Sequence, residues 1–268
     1  MAITTLDGCI AGAKIPDFFQ KTGITMAAVS TVRWHSHFYS AGRAPGVAPS
    51  SGVNGGSHSA PLTGCLAQPA AVGGQNVHLM RCALRANQVA NFIIADRLWT
   101  NSGLSTTLLT AQSITPAALP ARSNDATANG DGVLAAIEWS ATGGAGTPNA
   151  TISYTDQSGN SGASAVVASV ATPPVGTFEL FPLATGDTGV RSIQSFTWSA
   201  THTSGSFHLV LFRPIVSLYV PAANAEAAVD ALTAGFPRLF DASCPFILQV
   251  PGATTATTIS GDWVITQG

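Results

Sequence analysis

The stretch Arg33-Trp34-His35-Ser36-His37-Phe38-Tyr39 concentrates the most reactive side chains in the sequence. On a strand, His35 and His37 project to one face, because side chains alternate with period two. Two imidazoles on one face make half of a metal site, and a catalytic metal needs a third ligand. His58 and His78 are candidates for it, but no spacing ties either to the pair. The plainer reading is two histidines on a polar strand face, with Trp34 and Phe38 packed.

Glu138 and Glu179 are the carboxylates that could pair. Two carboxylates about 5–10 Å apart in a cleft perform glycoside hydrolysis. Both fall in expected strands, where an ion-paired glutamate is the simpler account, with Arg191 or Arg213 as partner. The run NDATANGDG starts like a calcium loop, with Asp125, Thr127, Asn129 and Gly130 in place. It fails where the loop needs a bidentate glutamate, because Ala136 stands there. A turn leading into a strand at Val133 explains these residues without an ion. No GxSxG elbow, P-loop or GxGxxG cradle occurs. Asn149-Ala150-Thr151 matches the N-glycosylation acceptor pattern, which means little without a secretory leader. Trp99, Trp139, Trp198 and Trp263 could line a sugar-binding face, yet their apolar neighbours mark them as core or interface fillers.

The elements that must position these groups are written in a low-charge chain. It has 268 residues, enough for a large core. Charged residues make up 9%, against roughly 25% in a typical soluble domain. Only two lysines occur, Lys14 and Lys21, and the net charge is -2. Scattered basic residues exclude a phosphate-binding patch, so no nucleic-acid partner is expected. The best apolar run, from Phe207 to Val220, is interrupted at Arg213 and Pro214 and is shorter than the ~20 residues of a membrane helix. No membrane partner is expected. Asp7, Lys14 and Asp17 break any signal-peptide pattern. So little charge implies a surface buried against other subunits, or one made of Ser, Thr, Asn, Gly and Ala.

Along the chain, residues 41–76 read as Gly, Ala, Pro and Ser punctuation, a loop-rich segment suited to draping over neighbours. A helix is expected over residues 78–100, with a strand over Ala90 to Ala95 as the competing reading. From Val133 the chain reads as β. Expected strands cover 133–142, 150–155, 163–171, 177–183, 189–202, 206–212, 215–220, 245–250 and 262–266. QSGNSG and TSGS are expected hairpin turns, and a bulge or sheet switch is expected at Pro214. A second helix is expected over residues 222–234, with Asn224 as N-cap and Gly235 and Pro237 as its end. Cys9, Cys65, Cys82 and Cys244 show no metal spacing and read as reduced, buried thiols, with a single bridge as the alternative.

These signals predict a mainly β protein: a β-sandwich or jelly-roll body over residues 85–268, with one or two helices, and a long loop-rich N-terminal arm over residues 1–84. The texture of NGDGVLAAIEWSATGGAGTPNATISYTDQSGNSG, of SFHLVLFRPIVSLYVPAANAEAAVDAL and of CPFILQV resembles small virion structural proteins of tailed bacteriophages. The resemblance covers residues 85–268 and carries over no active-site residue. It implies a non-enzymatic particle component, assembled in the host cytoplasm and located in the virion, most simply a head-surface or decoration (cement) protein. Implied partners are other copies of itself and other virion proteins, the major capsid protein among them. No cofactor is expected. Trp34, His35, Phe38 and Arg43 are the candidate contact residues. A neck or tail component and a surface carbohydrate-binding module are the alternatives.

Overall fold

The computed structural model describes residues 3–24, 33–43, 46–48, 52, 54–59, 61–68 and 72–268. One short helix, α1 (Leu6–Ala11), is capped by Thr5, whose Oγ1 accepts from the Gly8 amide. Among the described residues seventeen strands follow. They are β1 (Ala13–Ile24), β2 (Trp34–Ser36), β3 (Ala41–Gly42), β4 (Gly56–Ser57), β5 (Val77–Ala86), β6 (Ala90–Asn101), β7 (Gln112–Ser113), β8 (Leu134–Ala141) and β9 (Asn149–Asp156). They continue as β10 (Ser161–Ala168), β11 (Thr177–Leu180), β12 (Val190–Trp198), β13 (Ser206–Val220), β14 (Glu226–Asp230), β15 (Arg238–Leu239), β16 (Pro245–Pro251) and β17 (Thr257–Gln267). The chain is mainly β, as its strand and turn signals predict.

Three antiparallel sheets form layers around a closed centre. Strands β13, β8, β11, β2, β16 and β6 pair in that order, and β13 pairs back onto β6, closing a small barrel. One face of these strands points inward and forms a single cluster with Phe38, Ala95, Ala136, Phe178, Val210, Phe212, Phe246 and Leu248. A four-stranded sheet, β10-β9-β12-β7, covers one outer side. Trp139, Trp198, Phe196, Phe207 and Ile152 fill that interface. The sheet β14-β5-β17-β1-β3 covers the other side, over Phe92, Ile94, Val216, Leu218 and Trp263. The long strands β6 and β13 belong to both interfaces. They are buried on both faces, which explains their nearly unbroken apolar sequence. The register shift between Pro214 and Val216 is the bulge expected at that proline.

Two expected helices are strands. Residues 78–100 form the β5–β6 hairpin. Met80 is bulged out of the β5–β17 ladder, so the buried face of β5 passes from Leu79 to Cys82. That three-residue step imitates a helical period. Residues 222–234 hold β14 and a turn. Ala227 and Val229 pack inward while Glu226 and Asp230 pair with Arg85 and Arg81 of β5. Period-two packing on a waiting edge outweighs alanine's helix preference. Asn224 adopts a left-handed φ of 64° instead of capping. The QSGNSG turn closes the β9–β10 hairpin as expected. TSGS joins β12 and β13, which lie in different layers, so it links sheets and closes no hairpin.

Parts of residues 41–76 lie on the chain's own body: β3 pairs with β1, β4 pairs with β6, and Leu66 packs in the interface below the outer sheet. Gly46 sits so close to the Phe38 ring that a Cβ there would lie 2.2 Å from it. Gly55, at φ 66°, makes the same approach to Trp99. Cys65 is disulfide-bonded to Cys244, at a Cα–Cα distance of 5.3 Å, which corrects the reading of four free thiols. Cys9 and Cys82 are free and buried. Residue 84 lies within β5, and β1 and β5 flank β17 in one sheet.

Candidate functional site

The chemistry-bearing residues gather in the wall and interior of the barrel. Glu138 on β8 and Arg97 on β6 meet inside it, both wholly buried. Arg97 Nη1 donates to Glu138 Oε1 at 3.0 Å, and Nη2 pairs with Oε2. Tyr39 Oη donates to Glu138 Oε2 at 3.2 Å. The Arg97 guanidinium also lies 4.5 Å from the centre of the Phe38 ring. Burial pushes the Glu138 carboxyl up, but the charge and hydrogen bonds of Arg97 outweigh it and hold the group below its ordinary value. The partner is therefore Arg97, and neither Arg191 nor Arg213 fills that role.

A second ion pair lies on the outer surface of the barrel wall. Arg122 Nε is 3.0 Å from Asp96 Oδ2. Asp96 also accepts from Ser243 Oγ and the Cys244 amide, at 2.9 and 2.8 Å. Arg122 donates to the carbonyls of His58 and Ala242 at 2.7 and 2.5 Å. The pair thus fixes the loop that presents Cys244 to Cys65. Burial raises the Asp96 carboxyl in spite of Arg122. Both pairs come from Asp96-Arg97, adjacent charges inside an apolar run. That dipeptide was the available signal, and the helical reading of residues 78–100 hid it.

Glu179 takes the other face. It is buried between the barrel and the β9–β12 layer, and accepts from the Val170 amide at 2.9 Å, Trp139 Nε1 at 3.2 Å and Ser169 Oγ at 3.0 Å. Burial raises its pKa. Glu138 and Glu179 sit on opposite faces of the wall, with no shared cleft, so the arrangement that glycoside hydrolysis needs is not formed by them. His35 and His37 do share a face, on the outside of the barrel. His37 contacts Ser40 Oγ at 3.0 Å and Gln249 Oε1 at 2.7 Å. Burial brings both imidazoles down to about 4. No group of three metal-ligating side chains exists among the described residues. Asp125 accepts from Thr127 and Asn129, an ordinary turn.

Of the four candidate contact residues, His35 and Phe38 are buried in the fold and Trp34 is half-buried. Arg43 is exposed and pairs with Asp17. It borders an open groove of about 660 Å³ on the β1–β17–β5 face, with Phe18, Gln20, Arg85, Glu226 and Asp262. The charges there neutralise one another, Arg85 lying 3.3 Å from Glu226. Trp99, Trp139, Trp198 and Trp263 are at most 1% exposed, as core fillers should be, so they form no sugar platform.

No protein family matches the chain, and no curated protein sequence does. Among solved structures it is weakly similar to viral capsid proteins. Against the infectious bursal disease virus VP2 subviral particle the TM-score is 0.20 at 10% identity, over 95% of this chain and 80% of that one. Against trichodysplasia spinulosa-associated polyomavirus VP1 in complex with 3'-sialyllactose it is 0.20 at 9% identity, over 97% and 96%. A TM-score this low fixes neither topology nor role.

Proposed function

We propose that this chain is a structural subunit of a bacteriophage particle, acting through subunit contacts, with a head-surface or decoration role preferred over a neck or tail role. The observation that carries the reading is where the charge sits. The chain has 11 Lys and Arg and 13 Asp and Glu. Eight of these are buried: Lys21, Asp96, Arg97, Arg122, Glu138, Asp156, Glu179 and Arg213. The outer surface is left with still less charge than the composition suggests. Lys and Glu are the residues that protein contacts exclude, and a surface poor in both suits permanent association. The rigid layered body supplies shape, and burial of apolar area at about 25 cal/mol/Å² supplies cohesion. Cytosolic thiols stay reduced, so assembly in the host cytoplasm requires the Cys65–Cys244 bridge to form after release.

Sedimentation velocity of the purified protein over a concentration series tests this. A defined oligomer, or growth into larger assemblies, is the expected result. A monomer at every concentration contradicts a self-associating subunit.

A further inference from the structure

A sheet must end somewhere, and a free edge exposes unpaired backbone groups that natural proteins blunt with charge, proline or brevity. The edges here divide sharply. The two-residue strands β3, β4, β7 and β15 are too short to recruit a partner. The edge strand β14 carries Glu226 and Asp230. By contrast, β10 is an eight-residue edge, SGASAVVA, with no charge and no proline.

The direction of its free groups follows from the ladder. The Ser169 amide donates to the Pro148 carbonyl at 2.8 Å. In an antiparallel pair, bonded positions alternate. Ala163, Ala165 and Val167, opposite Tyr154, Ile152 and Ala150, therefore turn their N–H and C=O groups toward β9. Ser164, Val166 and Ala168 turn theirs outward. Arg33 marks that direction, because its guanidinium donates to the Ala168 carbonyl at 2.8 Å. Among the described residues nothing pairs with the outward groups of Ser164 and Val166, and Val166 is 46% exposed.

We infer that β10 is a self-pairing edge: two copies of this chain join by antiparallel β10–β10 pairing about a two-fold axis at Ala165. Three observations choose this geometry. Arg33 occupies the Ala168 carbonyl, and Gly162 stands at φ 88° beside the register shift between Ser161 and Ala163, so Ser164 and Val166 are the available set. Pairing Ser164 with Val166 of the other copy uses all their outward groups in four hydrogen bonds. The axis then brings the two Ala165 residues together as a closely spaced pair, where small side chains fit. A two-fold contact sets a strand against itself, so any charge would face its own kind. The absence of charge in β10 makes it electrostatically compatible with its own copy, whereas β14 would set acid against acid. Pairing also joins two four-stranded sheets and extends the buried side past Ala165 and Val167. The inference rests on the subunit reading above and names the contact.

Val166→Pro removes an outward N–H while leaving the bonds to β9, because edge positions with outward amides tolerate proline. Loss of two hydrogen bonds per pair predicts self-association weakened roughly tenfold or more, with the thermal midpoint little changed. In the same experiment Ser164→Cys and Val166→Cys proteins are mixed and oxidised. Rapid cross-linking between the two variants, above the rate for Leu232→Cys at an exposed site elsewhere, supports the register. If the oligomer persists unchanged in Val166→Pro and the mixture does not cross-link, the edge pairing is overturned while the subunit reading stands. A wild-type monomer at all concentrations overturns both.

Discussion

Glu138 and Glu179 occupy neighbouring strands, are equally buried, and behave oppositely. Glu138 faces the barrel interior, where Arg97 holds it below its ordinary pKa. Glu179 faces the layer beyond, where its hydrogen-bond donors are neutral, and burial drives it up in spite of them and of the more distant Arg33 charge. Burial alone raises a carboxylate; the bidentate Arg97 reverses the sign at Glu138, whereas Arg122 beside Asp96 only offsets it in part. The barrel interior is therefore a place where two charges depend on each other. The outer layer around Trp139 and Trp198 is an apolar core that tolerates one well-bonded acid.

The largest test of that contrast is Glu138→Gln. It leaves Arg97 buried without its counter-charge and is expected to cost about 3–5 kcal/mol. Replacing Arg97 and Glu138 together by Met and Leu is expected to recover most of that loss, read as the midpoint of urea denaturation. If the single variant costs less than about 1 kcal/mol, the interior is not charge-coupled. Next in size is Cys65→Ser. The bridge spans 179 residues and holds the loop organised by Arg122 and Asp96. Its loss is expected to cost about 2–5 kcal/mol, with a reductant giving the same shift in the wild type.

Acid should act through the imidazoles. His35 and His37 fall to about 4 and His58 to about 3 in the folded chain. Lys21 and His35 face His37, and Arg97, Arg122 and Glu138 surround His58. The unfolded chain takes up protons first, so their contribution is complete above about pH 6.5 and is lost as pH falls toward 4, by up to about 3 kcal/mol each. Asp96 and Glu179 work the other way, because raised carboxyls favour the fold as they protonate. Urea midpoints between pH 7 and 4 should therefore fall. A flat profile would show these histidines to be hydrated. The smallest effect is expected for Glu179→Gln, about 1–2 kcal/mol, since the amide oxygen still accepts from the Val170 amide while the NH2 replaces the acceptor that faces Trp139 Nε1.

The β class was legible because turns at QSGNSG and Pro214 and the alternation of Gly189–His202 are local signals. The tryptophan core was legible from its neighbours. Residues 78–100 misled because one bulged residue, Met80, converts a period of two into a step of three. Residues 222–234 misled because the edge of β5 decides what an alanine-rich segment becomes. Barrel closure through β13 and β6 was invisible, as pairings across more than a hundred residues leave no local trace. The partner of Glu138 was missed for the same reason. The Cys65–Cys244 bridge was an open alternative that sequence alone does not decide.

Amide exchange at β10 tests the central claim most directly. The inward amides of Ala165 and Val167 belong to the β9 ladder and should be protected at every concentration. The outward amides of Ser164 and Val166 should be protected in concentrated protein and exchange freely on dilution. Free exchange of Ser164 and Val166 at all concentrations would contradict the account.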